Sequence, residues 1–226
     1  MTFPSPSFTP DSILFDLDGT LWDSGDGVTE GFNLAARRCG IPHRFTTDGL
    51  HAIMGLQERE ALERLVPDLP LAERLAFGEE ARRCECEVLR TGRGSTLLPG
   101  VRELLGALRG KAPLAIVSNC MEGYIEAFLE AYGLADVFAD YEHPGRTGLS
   151  KGENIRLVME RNGWRSPVYV GDAAVDEEAA RFAGIPFVYA SYGFGRVQSP
   201  DAVLAAPGDL LGLLSFPGEV LSRPET

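Results

Sequence analysis

A short apolar run that ends in two acidic residues constrains this chain more than any other feature. Residues 13–15 predict a strand buried on both faces, and Gly19 ends the run just after Asp16 and Asp18. Side chains two apart in a strand point the same way, so the two carboxylates begin on one face. Like charges that close are costly without a cation or a shared proton, and Mg²⁺ fits because it takes one or two carboxylates. For this pair alone, an exposed acidic turn is the simpler interpretation.

The composition limits the class of protein. The chain has 226 residues, of which 44% are hydrophobic, which suits one large domain or a core with a small insert. The formal net charge of −12 offers no positive surface to nucleic acid or to an anionic membrane. No apolar run approaches the roughly 20 residues of a membrane span, and the first residues lack a signal-peptide pattern. The expected location is the cytoplasm, with the four cysteines reduced.

The pattern of apolar residues changes along the chain. Between Gly25 and Thr91 they recur at helical spacing without strand-like alternation, which predicts an all-helical block. From Leu97 onward, strand patterns alternate with helix patterns. The strands predicted there are 114–118, 137–139, 168–171 and 185–189. Such alternation predicts an α/β fold with a doubly wound (Rossmann-like) parallel sheet and right-handed helical crossovers.

Polar residues follow the predicted strands at the edge where doubly wound sheets bind ligands. These residues are Asp16 and Asp18 after the first strand, Ser118 and Asn119 at the second, and Asp172 at the fourth, with Asp176 a helical turn later and Lys151 at a helix start. Carboxylates suit a metal ion, a hydroxyl and amides suit phosphate oxygens, and a lysine balances charge. The set therefore indicates phosphate chemistry.

Four motifs occur in a characteristic order: Asp-x-Asp-Gly-Thr, a strand ending in Ser-Asn, a separate lysine, and Gly-Asp-x-x-x-Asp. In these motifs the chain resembles the haloacid dehalogenase superfamily, and within it the phosphoglycolate-phosphatase-like hydrolases with an inserted helical cap. Nearly the whole chain takes part, including the segments 98–105, 183–186 and 191–195. The resemblance implies an α/β core domain of residues 1–24 and 96–226 and a helical cap domain of residues 25–95.

The resemblance also implies a role for each matching residue. Asp16 would be the nucleophile that forms an aspartyl-phosphate, and Asp18 the general acid and base. Mg²⁺ would be held by Asp16, the backbone carbonyl of Asp18 and Asp172, with Asp176 acting through water or through another ligand. The expected phosphate-binding residues are Ser118, Asn119, Lys151 and Thr20. Thr20 would also help to orient Asp16.

The expected activity is Mg²⁺-dependent hydrolysis of a small phosphorylated metabolite. A sugar phosphomutase of the same superfamily is the alternative, because it shares Asp16 and Asp18. A non-catalytic phosphometabolite-binding module is disfavoured, since the carboxylates and the lysine are all present. Phosphonate-cleaving relatives use a cap lysine, and residues 25–95 contain none. Gly55 and Arg59 are the candidates for substrate specificity in the cap.

Overall fold

A parallel sheet flanked by helices forms the centre of the α/β part of the protein. The structure, a computed structural model, describes residues 8–51 and 58–216. Its strands are β1 (Ile13–Phe15), β2 (Trp22–Asp23), β3 (Thr96–Leu97), β4 (Leu114–Val117), β5 (Asp140–Glu142), β6 (Val168–Gly171), β7 (Phe187–Ala190) and β8 (Ala202–Leu204). Its helices are α1 (Gly25–Arg38), α2 (Thr47–His51), α3 (Glu58–Leu65), α4 (Leu71–Arg90), α5 (Val101–Leu108), α6 (Tyr124–Tyr132), α7 (Pro144–Thr147), α8 (Lys151–Asn162), α9 (Ala174–Ala183) and α10 (Leu210–Leu213).

The main sheet has six strands in the order β5-β4-β1-β6-β7-β8, and each neighbouring pair is parallel. The doubly wound α/β fold predicted from the alternation is thereby confirmed. The chain builds the sheet outward from β1 in both directions, first through β4 to β5 and then through β6 to β8. The strand order reverses at β1, and a crevice opens at such a point beyond the carboxyl ends of the strands.

Two strands at the edges of the sheet escaped the sequence patterns. The strand predicted at 137–139 is wrong, because β5 begins at Asp140 and residue 137 lies in a turn. An edge strand needs no continuous apolar run, and the sequence Asp-Tyr-Glu of β5 has none. The opposite edge strand, β8, has no counterpart in the prediction, because only three residues form it and its central Val203 is exposed.

The described chain divides into two compact units. The α/β unit comprises residues 8–22, 97–122 and 136–216, and the helical unit comprises residues 23–51, 58–96 and 123–135. Helix α6 packs with α4 in the helical unit, although the predicted core domain includes its residues. The predicted boundaries of the two domains stay a prediction.

Close packing between α1 and α4 forms the core of the helical unit. A Cβ atom on Gly31 of α1 would lie 2.5 Å from the Cα atom of Glu85 on α4, so only glycine allows this approach. The rings of Phe32 and Phe77 each pack on Phe45, with centroids 5.7 and 5.6 Å apart. Within the described residues, no helix is long and apolar enough to cross a membrane.

A buried carboxylate joins β5 to α7 and α8 in the α/β unit. The Glu142 side chain is 2% exposed; Arg146 Nε donates to its Oε1 at 2.8 Å and Arg161 Nη1 to its Oε2 at 2.7 Å. Burial favours the neutral acid, but the hydrogen bonds from the two arginines outweigh it and lower the pKa of Glu142. The carboxylate therefore stabilises the fold in its ionised form.

We expect Glu142→Gln to lower the free energy of unfolding at neutral pH by about 2 kcal/mol, because charge-assisted hydrogen bonds are lost. The native pKa lies below the unfolded value, so this stabilisation is present above the unfolded pKa and is lost as the pH falls through the native pKa. Chemical denaturation at pH 7 and at steps below pH 4.5 measures it. Glu178→Gln, at an exposed position of α9, is the control. A difference between wild type and Glu142→Gln that stays constant with pH would contradict the prediction.

Candidate active site

The carboxyl ends of three adjacent strands bring the predicted site residues together. Asp16 follows β1, Ser118 follows β4, and Asp172 follows β6, while Lys151 is the first residue of α8. All four side chains are buried. Because β4, β1 and β6 are neighbours in the sheet, residues far apart in sequence lie at one edge of the sheet.

Three carboxylates and one ammonium group form the centre of the site. Asp16, Asp172 and Asp176 each offer an oxygen atom, and these atoms lie within 4.8 Å of one another. Lys151 Nζ lies 2.6 Å from Asp16 Oδ1 and is also ion-paired with Asp176 Oδ1. The single cation is thus shared by two of the three acids.

Burial and neighbouring charges raise the pKa values of the acids and of the lysine in this cluster. Burial, together with the neighbouring Asp176 carboxylate, raises the pKa of Asp16 to about 7, although Lys151 opposes this shift. Burial also raises the pKa of Asp172. Burial alone would lower the pKa of Lys151, but the carboxylates of Asp16 and Asp176 hold it well above its ordinary value. The lysine stays charged while the acids repel one another.

Both carboxylate oxygens of Asp176 accept hydrogen bonds from other residues of the protein. Its Oδ1 accepts from Lys151, and its Oδ2 accepts from the backbone N–H groups of Asp172 at 3.0 Å and of Ala173 at 2.9 Å. Gly171 makes this possible, since a Cβ atom there would lie 2.6 Å from Asp176 Cγ. Asp176 therefore fixes the backbone at Asp172 and holds the lysine in place.

Asp16 and Asp172 each accept hydrogen bonds at one carboxylate oxygen and have no described donor at the other. Asp16 Oδ1 accepts from Lys151, and Asp172 Oδ2 accepts from the N–H groups of Phe194 at 2.7 Å and Gly195 at 2.9 Å. No described residue donates a hydrogen bond to Asp16 Oδ2 or to Asp172 Oδ1. Two carboxylate oxygens in a buried acidic cluster are the hard donors that a small divalent cation requires, so the residues present fit such an ion.

The turn after β1 brings its backbone directly against Asp172. Gly19 has φ +75°, a conformation that favours glycine, and a Cβ atom there would lie 2.4 Å from Asp172 Oδ2. The turn is closed by hydrogen bonds from Leu21 N to Leu17 O at 2.8 Å and from Gly19 N to Trp22 O at 2.9 Å. The glycine of the Asp-x-Asp-Gly-Thr motif is thus required for both the turn and the contact.

Comparison with known proteins gives the family. Residues 13–190 match the family model described as haloacid dehalogenase-like hydrolase. The chain belongs to the haloacid dehalogenase-like hydrolases. Among curated relatives, phosphoglycolate phosphatases from Shigella boydii and from Escherichia coli strain K12 are each 29% identical over 235 residues, covering 91% of this chain and 92% of theirs. A phosphoglycolate phosphatase from Synechococcus elongatus is 39% identical over 123 residues, covering 51% of this chain and 58% of its own.

Solved structures share the fold of this haloacid dehalogenase-like hydrolase. A "predicted phosphoglycolate phosphatase" from Haemophilus somnus has a TM-score of 0.76 at 24% identity, covering 90% of this chain and 97% of the other. The CbbY protein of Rhodobacter sphaeroides, solved in complex with phosphate, has a TM-score of 0.73 at 18% identity, covering 89% and 96%. At these identities the comparison concerns the fold.

The other predicted site residues of this hydrolase occupy varied environments. Asp18 is half-buried in the turn after Asp16, and Asn119 is exposed after β4. Ser118 is buried and its N–H donates to the Glu142 carbonyl at 3.3 Å. Thr20 is fully buried, and its Oγ1 has no hydrogen-bond partner among the described residues, Asp16 included. The roles assigned to these residues stay predictions.

The structure describes one of the two predicted specificity residues. Arg59 is exposed on α3 in the helical unit, whereas Gly55 lies outside the described residues.

The sequence patterns did not identify the backbone amides of Phe194 and Gly195, which donate hydrogen bonds to Asp172, as functional groups. The segment Gly-Phe-Gly after β7 was their only sequence signal, and glycines next to a buried carboxylate indicate close backbone approach.

We expect Lys151→Met to lower the free energy of unfolding by about 3 kcal/mol or more without metal, because Asp16 and Asp176 lose their buried cation. Lys111→Met, at the chain's other lysine, is the matched control. That side chain is exposed and should change stability by less than about 1 kcal/mol. Denaturant unfolding of metal-free protein at pH 8 measures both, and equal effects of the two substitutions would refute the prediction.

Proposed function

We propose that this haloacid dehalogenase-like hydrolase is a Mg²⁺-dependent phosphatase that hydrolyses a small phosphate monoester through an aspartyl-phosphate intermediate. The arrangement of Asp16 carries the proposal. One of its oxygens is ion-paired with Lys151, and the other accepts no hydrogen bond from the described residues. A carboxylate held at one oxygen and open at the other suits nucleophilic attack. The phosphoglycolate phosphatases among its relatives support the reaction class.

The first half of the proposed reaction transfers the phosphoryl group to the protein. Asp16 Oδ2 attacks phosphorus, and the bond between phosphorus and the ester oxygen breaks. The leaving alkoxide takes a proton from the Asp18 carboxyl group. Lys151 binds Asp16 Oδ1 and Asp176 Oδ1, so it keeps the nucleophile oriented and balances negative charge as the phosphoryl group arrives.

The second half returns the protein to its starting state. Water gives a proton to Asp18 and attacks the phosphorus of the aspartyl-phosphate, which releases inorganic phosphate and the free Asp16 carboxylate. Ser118 at the end of β4, the amide of Asn119 and Thr20 are the proposed partners of the phosphoryl oxygens. The buried Thr20 hydroxyl, unpartnered within the described residues, is consistent with a partner supplied by the substrate.

Asp16, through the oxygen that does not attack phosphorus, the free oxygen of Asp172 and the Asp18 carbonyl are the proposed ligands of Mg²⁺. When bound there, the ion supplies positive charge that neutralises the carboxylates and the phosphate. Asp176, whose two oxygens bind Lys151 and backbone amides, supports the site without direct ligation. The expected cytoplasmic location and the specificity role of Arg59 stay predictions beside this proposal.

We expect the wild-type protein with Mg²⁺ to release phosphate from one of a panel of small phosphate monoesters, with phosphoglycolate as the first candidate because of the relatives' activity. Asp16→Asn should abolish release, because the amide is no nucleophile. Asp136→Asn, at an exposed position of the same unit, is the control and should leave the rate unchanged. Free phosphate is measured by colorimetry, with and without a chelator.

Two results would redirect the proposal. Interconversion of sugar phosphate isomers without phosphate release, followed by phosphorus NMR, would indicate the phosphomutase alternative. Binding of phosphorylated metabolites without any turnover would indicate the non-catalytic module. Phosphate release that survives Asp16→Asn would overturn the assigned nucleophile.

The role of Asp18 gives a separate test. Asp18→Asn should lower kcat by about 10²–10⁴-fold, because general acid–base catalysis typically contributes that much. The loss should be smaller for a substrate with a good leaving group, such as an aryl phosphate, in the step that forms the intermediate. Rapid-quench measurement of the phosphorylated protein separates that step from hydrolysis. Equal losses in the first step for alkyl and aryl phosphates would contradict the acid role.

A further inference from the structure

The segment after β7 touches the candidate metal site without supplying a side chain to it. We call residues 191–195, with the sequence Ser-Tyr-Gly-Phe-Gly, the Gly-Phe-Gly loop. Its Phe194 and Gly195 N–H groups both donate to Asp172 Oδ2, at 2.7 and 2.9 Å. The Phe194 side chain is 59% exposed, so the loop acts here through its backbone.

Only glycine fits at positions 193 and 195 of this loop, because neighbouring atoms leave no room for a side chain. A Cβ atom on Gly193 would lie 2.3 Å from the Gly19 carbonyl oxygen and 2.4 Å from Asp172 Cβ. A Cβ atom on Gly195 would lie 2.7 Å from the Asp172 carbonyl oxygen. Real Cβ atoms do not approach that closely, so any side chain at these positions displaces backbone at the site. The loop is pressed against both segments that carry the proposed metal ligands.

Two tyrosine hydroxyls fix the loop in this position. Tyr192 Oη donates to the Thr20 carbonyl at 3.1 Å, which ties the loop to the turn after β1. Tyr189 Oη, from the end of β7, donates to the Gly195 carbonyl at 2.9 Å. Both hydrogen bonds end on backbone carbonyls and not on a carboxylate of the cluster, so they act on Asp172 by fixing the loop.

We propose that the Gly-Phe-Gly loop selects which oxygen of Asp172 binds the metal, and that Tyr189 and Tyr192 are positioning residues for this purpose. The two amides occupy Oδ2 and prevent the carboxylate from rotating, which leaves Oδ1 as the ligand oxygen. A ligand whose rotation is already restricted loses less freedom on binding, so its affinity for the ion is higher. The inference rests on the proposed function for the identity of the ion.

The test measures metal binding directly, in the absence of substrate. Metal-free full-length protein is titrated with Mn²⁺, an analogue of Mg²⁺, and free Mn²⁺ is followed by electron paramagnetic resonance. Tyr192→Phe and Tyr189→Phe should each raise the Mn²⁺ dissociation constant by on the order of tenfold, as substitutions behind a metal ligand typically do. Gly193→Ala should raise it further, because the added methyl group displaces the loop.

Matched variants separate positioning from general damage. Phe194→Ala removes an exposed side chain of the same loop but keeps the N–H group, and it should bind Mn²⁺ as the wild type does. Tyr132→Phe removes a comparable hydrogen bond, to Ser95 at 3.0 Å in the helical unit, and should also have no effect. Thermal unfolding of each variant confirms that it is folded, and Tyr192→Phe and Tyr189→Phe are mild enough to remain so.

The outcomes distinguish this inference from the proposed function. Wild-type affinity in both Tyr189→Phe and Tyr192→Phe would overturn the role of the loop and leave the phosphatase proposal intact. Weaker Mn²⁺ binding in these variants but not in the controls would support the loop's role, even in a protein that released no phosphate. A wild type that bound no Mn²⁺ would overturn both the loop's role and the metal in the proposed mechanism.

Discussion

The Lys151 ammonium, held between Asp16 and Asp176, is the interaction on which the site depends. Three buried carboxylates repel one another, and this lysine is the cation that offsets their charge in the α/β unit. A cation in the first turn of a helix is disfavoured by the helix dipole. Helix α8 compensates with a capping box, in which Ser150 and Glu153 satisfy each other's backbone N–H groups. Local capping thus allows a placement that the tertiary structure requires.

Each carboxylate in the cluster has its own assignment of oxygens. Asp176 uses both on Lys151 and on backbone amides, whereas Asp16 and Asp172 use one each and keep one open. Chemically identical side chains therefore have different proposed roles because their hydrogen-bond donors differ. The close approach of Gly19 and Gly171 to Asp172 and Asp176 puts backbone where any side chain would clash. The site is defined as much by these contacts as by its acids.

The sequence was sufficient for the fold class, since alternating strand and helix patterns leave few other topologies. It also predicted that Asp16, Lys151, Asp172 and Asp176 lie together at one edge of the sheet, as they do, while their roles stay predictions. The sequence could not show which oxygen of each carboxylate accepts which hydrogen bond, because spacing along the chain does not encode which donor faces which atom. For a related reason, the sequence patterns did not predict the edge strands β5 and β8 or the role of the amides in the Gly-Phe-Gly loop. Short edge strands lack an apolar run, and backbone donors have no side-chain signature.

The chemistry and the choice of substrate have different structural constraints in this hydrolase. The proposed catalytic and metal-binding residues lie in the α/β unit, where the central acids and Lys151 are bound to one another or to backbone. A change at Lys151 or Asp176 breaks several of these interactions at once, so this part of the site resists alteration. Arg59, on the exposed face of α3, has no such network within the described residues and can change without disturbing the cluster. Similarity to phosphoglycolate phosphatases therefore supports the reaction more strongly than the substrate, because Arg59, the proposed specificity residue, is less constrained by the fold than the cluster is.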